Sequence, residues 1–251
     1  MKLALVTGGY KRVGGAIAAR LAGDGWTLAL HSRGPTEPDP NLVMALHANA
    51  TDWRGFVADL GDEAAVATLL PTVIAHFGAV PQLIVNNASR FVYDDAGSMT
   101  AESLAEHHAV NVFAPVMLAA ALARSLDPGE TACVINILDQ RVRQPVGDQL
   151  SYTLSKQALW MATETLARAL APSVRVNGVA PGLTLPTEDY LPAQMAALEQ
   201  AMPLGLLPDP EDIADAVLWL ASARATTGQT IFVDGGANLK SFERDFVFIG
   251  T

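Results

Sequence analysis

Three side chains that can move protons occur in the segment INILDQRVRQPVGDQLSYTLSK, residues 135 to 156. Tyr152 and Lys156 are four residues apart, so on a helix they share one face and the ammonium group can lie beneath the phenol. A neighbouring cation lowers the pKa of a tyrosine from its ordinary value of about 10 toward working pH, as general acid catalysis requires. We therefore expect Tyr152 to donate a proton, with its pKa lowered by Lys156.

A carboxylate precedes this pair. Asp139 ends the apolar run ACVINIL, thirteen residues before Tyr152, and ligands of open α/β sheets bind at the carboxyl ends of strands. An ionised carboxylate cannot donate a hydrogen bond to a carbonyl oxygen, and beside Tyr152 it opposes the effect of Lys156 on the phenol. The site therefore suits a substrate with N–H donors, or with a ring nitrogen that must gain a proton, better than an ordinary ketone.

The elements that must position these residues follow an alternating pattern. Short apolar runs rich in β-branched residues alternate with segments of helical period, which is typical of a parallel sheet covered by helices on both faces. The runs are KLALVT, TLALH, GFVADL, QLIVNNA, ACVINIL, VRVNGVAP and QTIFVDGG. Helices are predicted near 14–23, 40–48, 62–77, 99–126, 151–171 and 211–222. We expect one α/β domain, a doubly wound (Rossmann) fold with a seven-stranded parallel sheet, over residues 1–240, with a substrate lid at about 183–207 and a tail at 241–251.

Composition excludes several functions. The chain has 251 residues, 50% of them hydrophobic, and its 16 Lys and Arg against 26 Asp and Glu give a formal net charge of −10. This balance argues against binding to nucleic acid or to anionic membranes. The longest apolar region, AVNVFAPVMLAAALA, is shorter than the roughly 20 residues of a membrane span, and no export signal is visible, so a soluble cytoplasmic protein is expected. Cys133 lies in an apolar run and should be buried and inert, and no residues at metal-ligand spacing predict a metal site.

The amino terminus predicts a phosphate-binding loop. LVTGGYKRVGGAIAARLA begins as a strand, turns through glycines and continues as a helix, the context in which backbone N–H groups hold a pyrophosphate. Lys11 and Arg12 add cations to this turn. An NAD enzyme usually carries an acidic residue after the second strand, for the ribose 2′-hydroxyl, but LHSRG stands there. His31, Ser32 and Arg33 therefore predict a 2′-phosphate, and hence NADP(H).

These features together resemble the short-chain dehydrogenase/reductase family. The matching motifs are Thr7, Gly8 and Gly14 of the phosphate loop, VADL, NNAS, VNVFAP, YTLSK, RVNGVAPG and VDGG. Two positions depart from the usual family pattern, since Arg12 replaces a loop glycine and Asp139 replaces the serine that most members carry. With Ser89 and Phe91, these departures resemble the pteridine reductase branch, which includes dihydromonapterin and dihydrofolate reductases.

The resemblance implies roles for single residues. Phe91 would sandwich a flat pterin against the nicotinamide, Arg12 and Ser89 would contact both cofactor and pterin, and Asn111 would hold a water that relays protons to Lys156. Asp139, Tyr152, Lys156 and Asn111 are the predicted catalytic residues. The predicted NADP(H) contacts are Gly8, Tyr10, Lys11, Arg12, Val13, His31, Ser32, Arg33, Asp59, Leu60, Asn87, Ala88, Ser89, Tyr152, Lys156, Pro181, Gly182 and Thr184. The predicted substrate contacts are Arg12, Ser89, Phe91, Asp139, Tyr152, Leu183 and Tyr190.

The leading prediction is an NADPH-dependent reductase of a dihydropterin, dihydromonapterin or dihydrofolate, with hydride transferred to a ring carbon and a proton to a ring nitrogen. The alternative is a carbonyl reductase of a small ketone, sugar or 3-oxoacyl substrate, in which Asp139 is protonated or structural. A third hypothesis is a non-catalytic NADP(H) sensor, which the intact Tyr152 and Lys156 disfavour. The resemblance also implies a homodimer or homotetramer, and the apolar tail SFERDFVFIGT is predicted to pack on a neighbouring subunit.

Overall fold

Seven parallel strands form one sheet, with the order β3-β2-β1-β4-β5-β6-β7. The computed structural model describes residues 1–185 and 190–249. The strands are β1 Leu3–Val6, β2 Thr27–Ser32, β3 Trp53–Val57, β4 Leu83–Asn86, β5 Ala132–Ile137, β6 Val174–Pro181 and β7 Thr230–Val233. All seven predicted strands are present. From β1 the strands are added on one side through β2 and β3, and from β4 onward they are added on the other side. The point between β1 and β4 is therefore the switch point where doubly wound sheets bind ligands.

Helices cover both faces of the sheet, as predicted. They are α1 Arg12–Gly23, α2 Pro40–Ala48, α3 Glu63–Phe77, α4 Ala101–His108, α5 Ala114–Ser125, α6 Leu150–Ala169, α7 Pro192–Ala201 and α8 Pro210–Ser222. Helices α1, α2 and α8 contribute to one core, and α3, α5 and α6 to the other. Because side chains alternate along a strand, Ala4 and Val6 of β1 enter the first core and Leu3 and Leu5 the second. The fold class is therefore confirmed.

The single cysteine lies in this core. Cys133 on β5 is buried, and burial raises the pKa of its thiol to about 11. A thiol with such a pKa is almost entirely protonated at neutral pH, and the thiolate is the reactive form. The predicted inert character of Cys133 fits this environment.

The segment predicted as one helix over 99–126 is interrupted. A π-helical turn, Ala109–Phe113, joins α4 to α5 and carries Asn111. Such turns insert one extra residue into a helix and often occur at functional sites. The whole stretch Ala101–Ser125 has 25 residues and is apolar enough, by length and composition alone, to cross a membrane. Leu118 and Leu122 are nevertheless buried against the sheet, so the stretch packs here as a core helix.

The carboxyl-terminal tail, residues 241–249, folds back onto its own chain. Phe246 is buried in a third cluster with Leu198 and Met202, at the end of α7. Nε2 of Gln194 lies within 3.1 Å of the carbonyl oxygens of Phe246, Val247 and Ile249. Two of the three aromatics that prompted the prediction of docking on a neighbouring subunit, Phe242 and Phe246, thus pack in a cluster with α7 of the same chain, and docking on a neighbouring subunit stays a prediction. Residues 186–189 of the predicted lid and 250–251 of the tail lie outside the described residues.

Candidate active site

A cleft of about 1090 Å³ opens at the carboxyl ends of the strands around the switch point. Its wall comes from the loops that follow β1, β2, β3 and β4, as expected for a dinucleotide site in this fold. The predicted cofactor residues that line it are Gly8, Lys11, Arg12, Val13, His31, Arg33, Asp59, Leu60, Asn87, Ala88, Ser89 and Tyr152. Pro181, Gly182 and Thr184 line an adjoining cavity instead.

The loop after β1 is fastened to the loop after β4. Nδ2 of Asn87 donates to the carbonyl oxygens of Thr7 and Gly8, each at 3.0 Å. In return, Oγ1 of Thr7 accepts from the backbone N–H groups of Asn87 and Ala88, also at 3.0 Å. A Cβ atom at Gly14 would overlap the carbonyl oxygen of Gly8, so only glycine permits this close approach. The two loops therefore form one rigid floor for the cleft.

Three cations border the cleft without a partner among the described residues. Lys11, Arg12 and Arg33 are exposed, and their side chains make no hydrogen bond or ion pair within residues 1–185 and 190–249. Arg12 has φ +55°, the left-handed region that a side chain disfavours by roughly 1–2 kcal/mol. This is the position where the family pattern has glycine, so the backbone shape is kept while a guanidinium is added.

His31 has a different role from the one predicted. Its Nδ1 accepts from the backbone N–H of Gly8 at 3.1 Å, and Nε2 therefore carries the proton and donates to the carbonyl oxygen of Ala58 at 2.9 Å. Burial lowers the pKa of the imidazole, which keeps it neutral. The hydroxyl of Ser32 donates to the carbonyl oxygen of Gly34 at 3.0 Å. Both side chains are engaged in shaping the loops, so of the three predicted phosphate ligands only Arg33 extends freely into the cleft.

Tyr10 also departs from its predicted place. Its ring packs edge-on against Trp53, with the centroids 6.4 Å apart, and its hydroxyl lies beside Gly55 of β3. It does not line the cleft. Tyr10 thus supports the phosphate loop from behind, and its prediction as a cofactor contact is corrected.

The structure brings the three predicted proton-moving residues together. The hydroxyl of Tyr152 donates to Oδ2 of Asp139 at 3.0 Å. Nζ of Lys156 lies 5.7 Å from the centroid of the Tyr152 ring and donates to the carbonyl oxygen of Ile137 at 2.8 Å. Asp139 follows β5, and Tyr152 and Lys156 lie in the first two turns of α6. The prediction that these three residues lie close together is confirmed.

The charge balance differs from the prediction. The pKa of Tyr152 is raised well above its ordinary value, first by burial and then by the neighbouring Asp139 carboxylate. Burial lowers the pKa of Lys156 to about 8. The expectation that Lys156 lowers the pKa of Tyr152 is therefore wrong for this structure, because burial and the Asp139 carboxylate determine the shift. Tyr152 is held in its protonated form.

A second cation at this site was missed from the sequence. The buried Arg141 donates to Oδ1 of Asp139 from its backbone N–H at 2.9 Å and from Nε at 3.1 Å. Nη2 donates to Oδ2 of Asp245 in the tail at 2.8 Å, and Nη1 donates to Oε1 of Gln149. A carboxylate at the end of a buried strand needs a positively charged partner. The sequence signal that could have found this partner is Arg141 itself, two residues after Asp139.

Asn111 fixes the loop after β4 to the catalytic helix. Its Nδ2 donates to the carbonyl oxygen of Arg90 at 3.0 Å and to Oγ of Ser155 at 2.9 Å. Its Oδ1 accepts from the Arg90 backbone N–H at 2.7 Å and from Oγ of Ser89 at 3.1 Å. The side-chain amide is fully used by these bonds, and the role in a water relay stays a prediction.

A second cavity, of about 700 Å³, adjoins the cofactor cleft, because Arg12 and Tyr152 border both. Phe91 is 51% exposed there and meets the Tyr152 ring edge-on, with the centroids 4.7 Å apart. The predicted substrate residues that line it are Arg12, Phe91, Asp139, Tyr152, Leu183 and Tyr190, while Ser89 lines the cofactor cleft. The tail adds Asp245, Phe246, Val247 and Phe248 to the wall, which the sequence did not predict. Among the described residues, no group of three His, Cys, Asp or Glu side chains could hold a metal ion.

A family model described as enoyl-(acyl carrier protein) reductase matches residues 10–238, which include the second half of the phosphate loop and the Tyr152–Lys156 pair. The chain belongs to the short-chain dehydrogenase/reductase family. It is an oxidoreductase of this family, as the sequence predicted. The chain is also 32% identical to the granaticin polyketide synthase ketoacyl reductase 2 of Streptomyces violaceoruber, over 94% of this chain and 96% of that protein.

Similarity to pterin and folate reductases within this family is also found. The structure matches FolM alternative dihydrofolate reductase 1 from Brucella canis, solved with NADP, with a TM-score of 0.87 and 35% identity over 95% of each chain. The sequence is 30% identical to pteridine reductase 1 of Leishmania tarentolae, over 94% of this chain and 96% of that protein. The predicted cofactor, NADP(H), is the one bound in the Brucella canis structure.

Proposed function

We propose that the protein is an NADPH-dependent reductase of a reduced pterin. The observation that carries this proposal is the pair formed by Asp139 and Tyr152, with the two oxygens 3.0 Å apart at the wall of the second cavity. Asp139 is an acceptor that an ordinary ketone would not use. A pterin presents ring N–H and amino groups that donate to such a carboxylate, and a ring nitrogen that must gain a proton.

The cofactor cleft supports NADPH over NADH. The floor formed by Gly8, Gly14 and Asn87 allows the close backbone approach that a pyrophosphate needs, and after β2 no acidic residue stands before Glu37 to meet a 2′-hydroxyl. Arg33 and Lys11 border the cleft and would meet the 2′-phosphate, whereas Arg12 borders both cavities. When bound, the nicotinamide supplies the hydride.

The protein's own residues manage the proton. Transfer of the Tyr152 proton to a ring nitrogen of the substrate leaves a phenolate beside the Asp139 carboxylate. Two cations offset this charge, since the Arg141 guanidinium lies 5.1 Å and Nζ of Lys156 lies 5.7 Å from the centroid of the phenol ring. With a pKa of about 8, Lys156 can return a proton near neutral pH.

Phe91 provides a surface for a planar substrate. Its ring is exposed to the cavity, and its edge-on contact with Tyr152 fixes its orientation. Aromatic side chains favour stacked contacts with other flat rings. A flat heterocycle on Phe91 would have its polar edge near Asp139 and Tyr152.

A carbonyl reductase remains the second candidate, supported by the 32% identity to a ketoacyl reductase. In that case Asp139 would be a structural partner of Arg141 and only Tyr152 would meet the substrate. NADPH oxidation by the wild-type protein separates the two proposals. We expect turnover of dihydrobiopterin, dihydromonapterin or dihydrofolate, and turnover of a ketone panel without any of the three would refute the pterin proposal.

We also infer a cytoplasmic homodimer or homotetramer. Large apolar side chains stand exposed on the outer faces of the helices around the active site, namely Phe113, Met117, Leu154 and Met161. Contiguous exposed apolar side chains favour burial against another subunit. Sedimentation analysis of the purified protein tests this inference, and a monomer at micromolar concentration would contradict it.

A further inference from the structure

The buried guanidinium of Arg141 joins Asp139 to the carboxyl-terminal tail. It lies 3.1 Å from Oδ1 of Asp139 through Nε and 2.8 Å from Oδ2 of Asp245 through Nη2. The side chains of Arg141 and Asp245 are only 10% and 6% exposed, so water screens this ion pair weakly. One cation thus connects a carboxylate at the end of β5 with a carboxylate more than one hundred residues later in the chain.

This connection directs the two oxygens of Asp139 to different partners. Oδ1 is occupied by the backbone N–H and Nε of Arg141, while Oδ2 accepts from the hydroxyl of Tyr152. A carboxylate held by two donors on one oxygen cannot rotate without losing both bonds. Arg141 therefore fixes the direction in which Asp139 presents its second oxygen to the cavity.

The tail holds Asp245 equally firmly. The backbone N–H of Asp245 donates to Oδ2 of Asp148 at 2.9 Å, and Oδ1 of Asp245 accepts from the backbone N–H of Val247 at 3.1 Å. Arg244 donates to Oδ1 of Asp148 at 2.7 Å. The other carboxylate oxygen of Asp245 is left to meet Arg141.

We propose that the tail is a working part of the active site, in which Asp245 and Arg141 are positioning residues that direct Asp139 toward Tyr152 and the substrate. The inference rests on the proposed function, because it takes Asp139 as the acceptor of the substrate. The groups that face Arg141 are Asp139 after β5, Asp148 and Gln149 before α6, Tyr152 in the first turn of α6, Asp245 in the tail, and the ring of Phe91. Lys156 faces Tyr152 in turn.

These charges act on Tyr152 in opposite directions. Burial and Asp139 raise the pKa of Tyr152 most. Arg141 lowers this pKa, and Asp245 raises it further. Lys156, with a pKa of about 8, titrates first in the activity profile, and Tyr152 gives the alkaline limb at higher pH. Removal of the Asp245 charge should therefore move this Tyr152 limb to lower pH, and removal of the Arg141 charge should move it to higher pH. A tail that only stabilised the fold would not produce opposite shifts.

The test uses the full chain and whichever substrate the wild type reduces, dihydropterin or ketone. The variants are Asp245→Asn, Asp245→Glu and Arg141→Gln, with Glu243→Gln as a matched carboxylate-to-amide control at an exposed tail position. We measure kcat and KM across pH, and NADPH affinity by fluorescence titration. For Asp245→Asn we expect kcat to fall about tenfold or more, since small misplacements at a reacting centre are costly. Asp245→Glu should restore the wild-type alkaline limb, and Glu243→Gln should leave it in place.

NADPH affinity shows whether each variant is folded, because Asp245 does not line the cofactor cleft. An Asp245→Asn protein with wild-type kcat and alkaline limb would overturn the proposal. Loss of NADPH affinity in parallel with kcat would also overturn it, since this would indicate general unfolding. Failure of the wild type to reduce any dihydropterin would refute the proposed function alone, because the tail would then be tested with the ketone.

Discussion

At the scale of single residues, the site combines a proton donor held neutral with a base that titrates near neutral pH. Tyr152 and Lys156 are both buried, and burial disfavours the charged form of each. For the phenol this raises the pKa, and for the ammonium group it lowers the pKa to about 8. As a result of these two pKa shifts, Tyr152 stays protonated and the nearby Lys156 can exchange a proton at working pH.

The lowered pKa of Lys156 has a consequence for stability. Because its pKa is about 10.5 when unfolded and about 8 when folded, the unfolded state binds more protons between these values, and stability should rise with pH there. We expect the difference in free energy of unfolding between wild type and Lys156→Met to change by about 2–3 kcal/mol in favour of the wild type from pH 7.5 to pH 10. Denaturant titrations at several pH values measure it, and a constant difference would contradict the assignment. Because Cys133 is present in both proteins, its contribution to the pH dependence cancels in the difference between their free energies of unfolding.

Arg33 should decide the choice between the two nicotinamide cofactors. It borders the cleft at the end of β2 and lacks a partner among the described residues, whereas the neighbouring His31 and Ser32 are engaged elsewhere. Arg33→Ala should weaken NADPH binding about tenfold or more, the usual size of a charge-assisted hydrogen bond, and leave NADH binding unchanged. Equilibrium titration with both cofactors measures this, with the exposed Arg168→Ala on α6 as a control. Equal losses for NADPH and NADH would show that Arg33 does not read the 2′-phosphate.

At the scale of elements, the loop between β1 and α1 depends on one contact that only glycine allows. A Cβ at Gly14 would overlap the backbone of Gly8 and the amide of Asn87, whereas a Cβ at Gly15 would meet only the Tyr10 carbonyl at 3.5 Å. Gly14→Ala should separate the two loops, lower stability by about 1–3 kcal/mol and abolish measurable NADPH binding. Gly15→Ala lies in α1 and should be neutral or stabilising. Thermal unfolding and cofactor titration of this pair test the loop, and similar behaviour of the two variants would contradict it.

Elements were predictable from the sequence where one local signal dominates. The central strands β1, β4 and β5 are buried on both faces and read as continuous apolar runs, so they were found. Helix α7 was not predicted as a helix, because PAQMAALEQA has a weak apolar stripe and its face is covered only when the tail returns. The π-helical turn at Asn111 was also missed, since its geometry is fixed by partners at Arg90 and Ser155.

The site was predictable in its local part only. Asp139, Tyr152 and Lys156 are joined by strand and helix geometry, and their spacing revealed them. The Arg141–Asp245 pair depends on the return of the chain's end, which no local pattern specifies. The neutral role of His31 depends likewise on Gly8 and Ala58, which follow other strands.

At the scale of the whole molecule, two large cores beside the sheet carry the fold and a small third cluster attaches the tail to it. Phe246 is the buried aromatic of that cluster. Phe246→Ala should lower the free energy of unfolding by about 3 kcal/mol and reduce activity, because the tail also lines the second cavity, next to Asp139 and Tyr152. Leu239→Ala, at an exposed position, should change neither. Denaturant unfolding with parallel activity assays tests the cluster. A Phe246→Ala protein with the stability and activity of the wild type would show that the tail is not docked.

The central claim is that Asp139 makes this a site for a nitrogen heterocycle. The most direct measurement is the ratio of kcat/KM for a dihydropterin to kcat/KM for a ketone, with NADPH, in wild type, Asp139→Asn and Asp139→Ser. We expect the wild type to favour the dihydropterin, Asp139→Asn to lose most of that activity, and Asp139→Ser to shift the ratio toward the ketone by about a hundredfold or more, the size of an acceptor lost at a reacting centre. A wild type that reduces only ketones, or an Asp139→Asn protein with full dihydropterin activity, would contradict the claim.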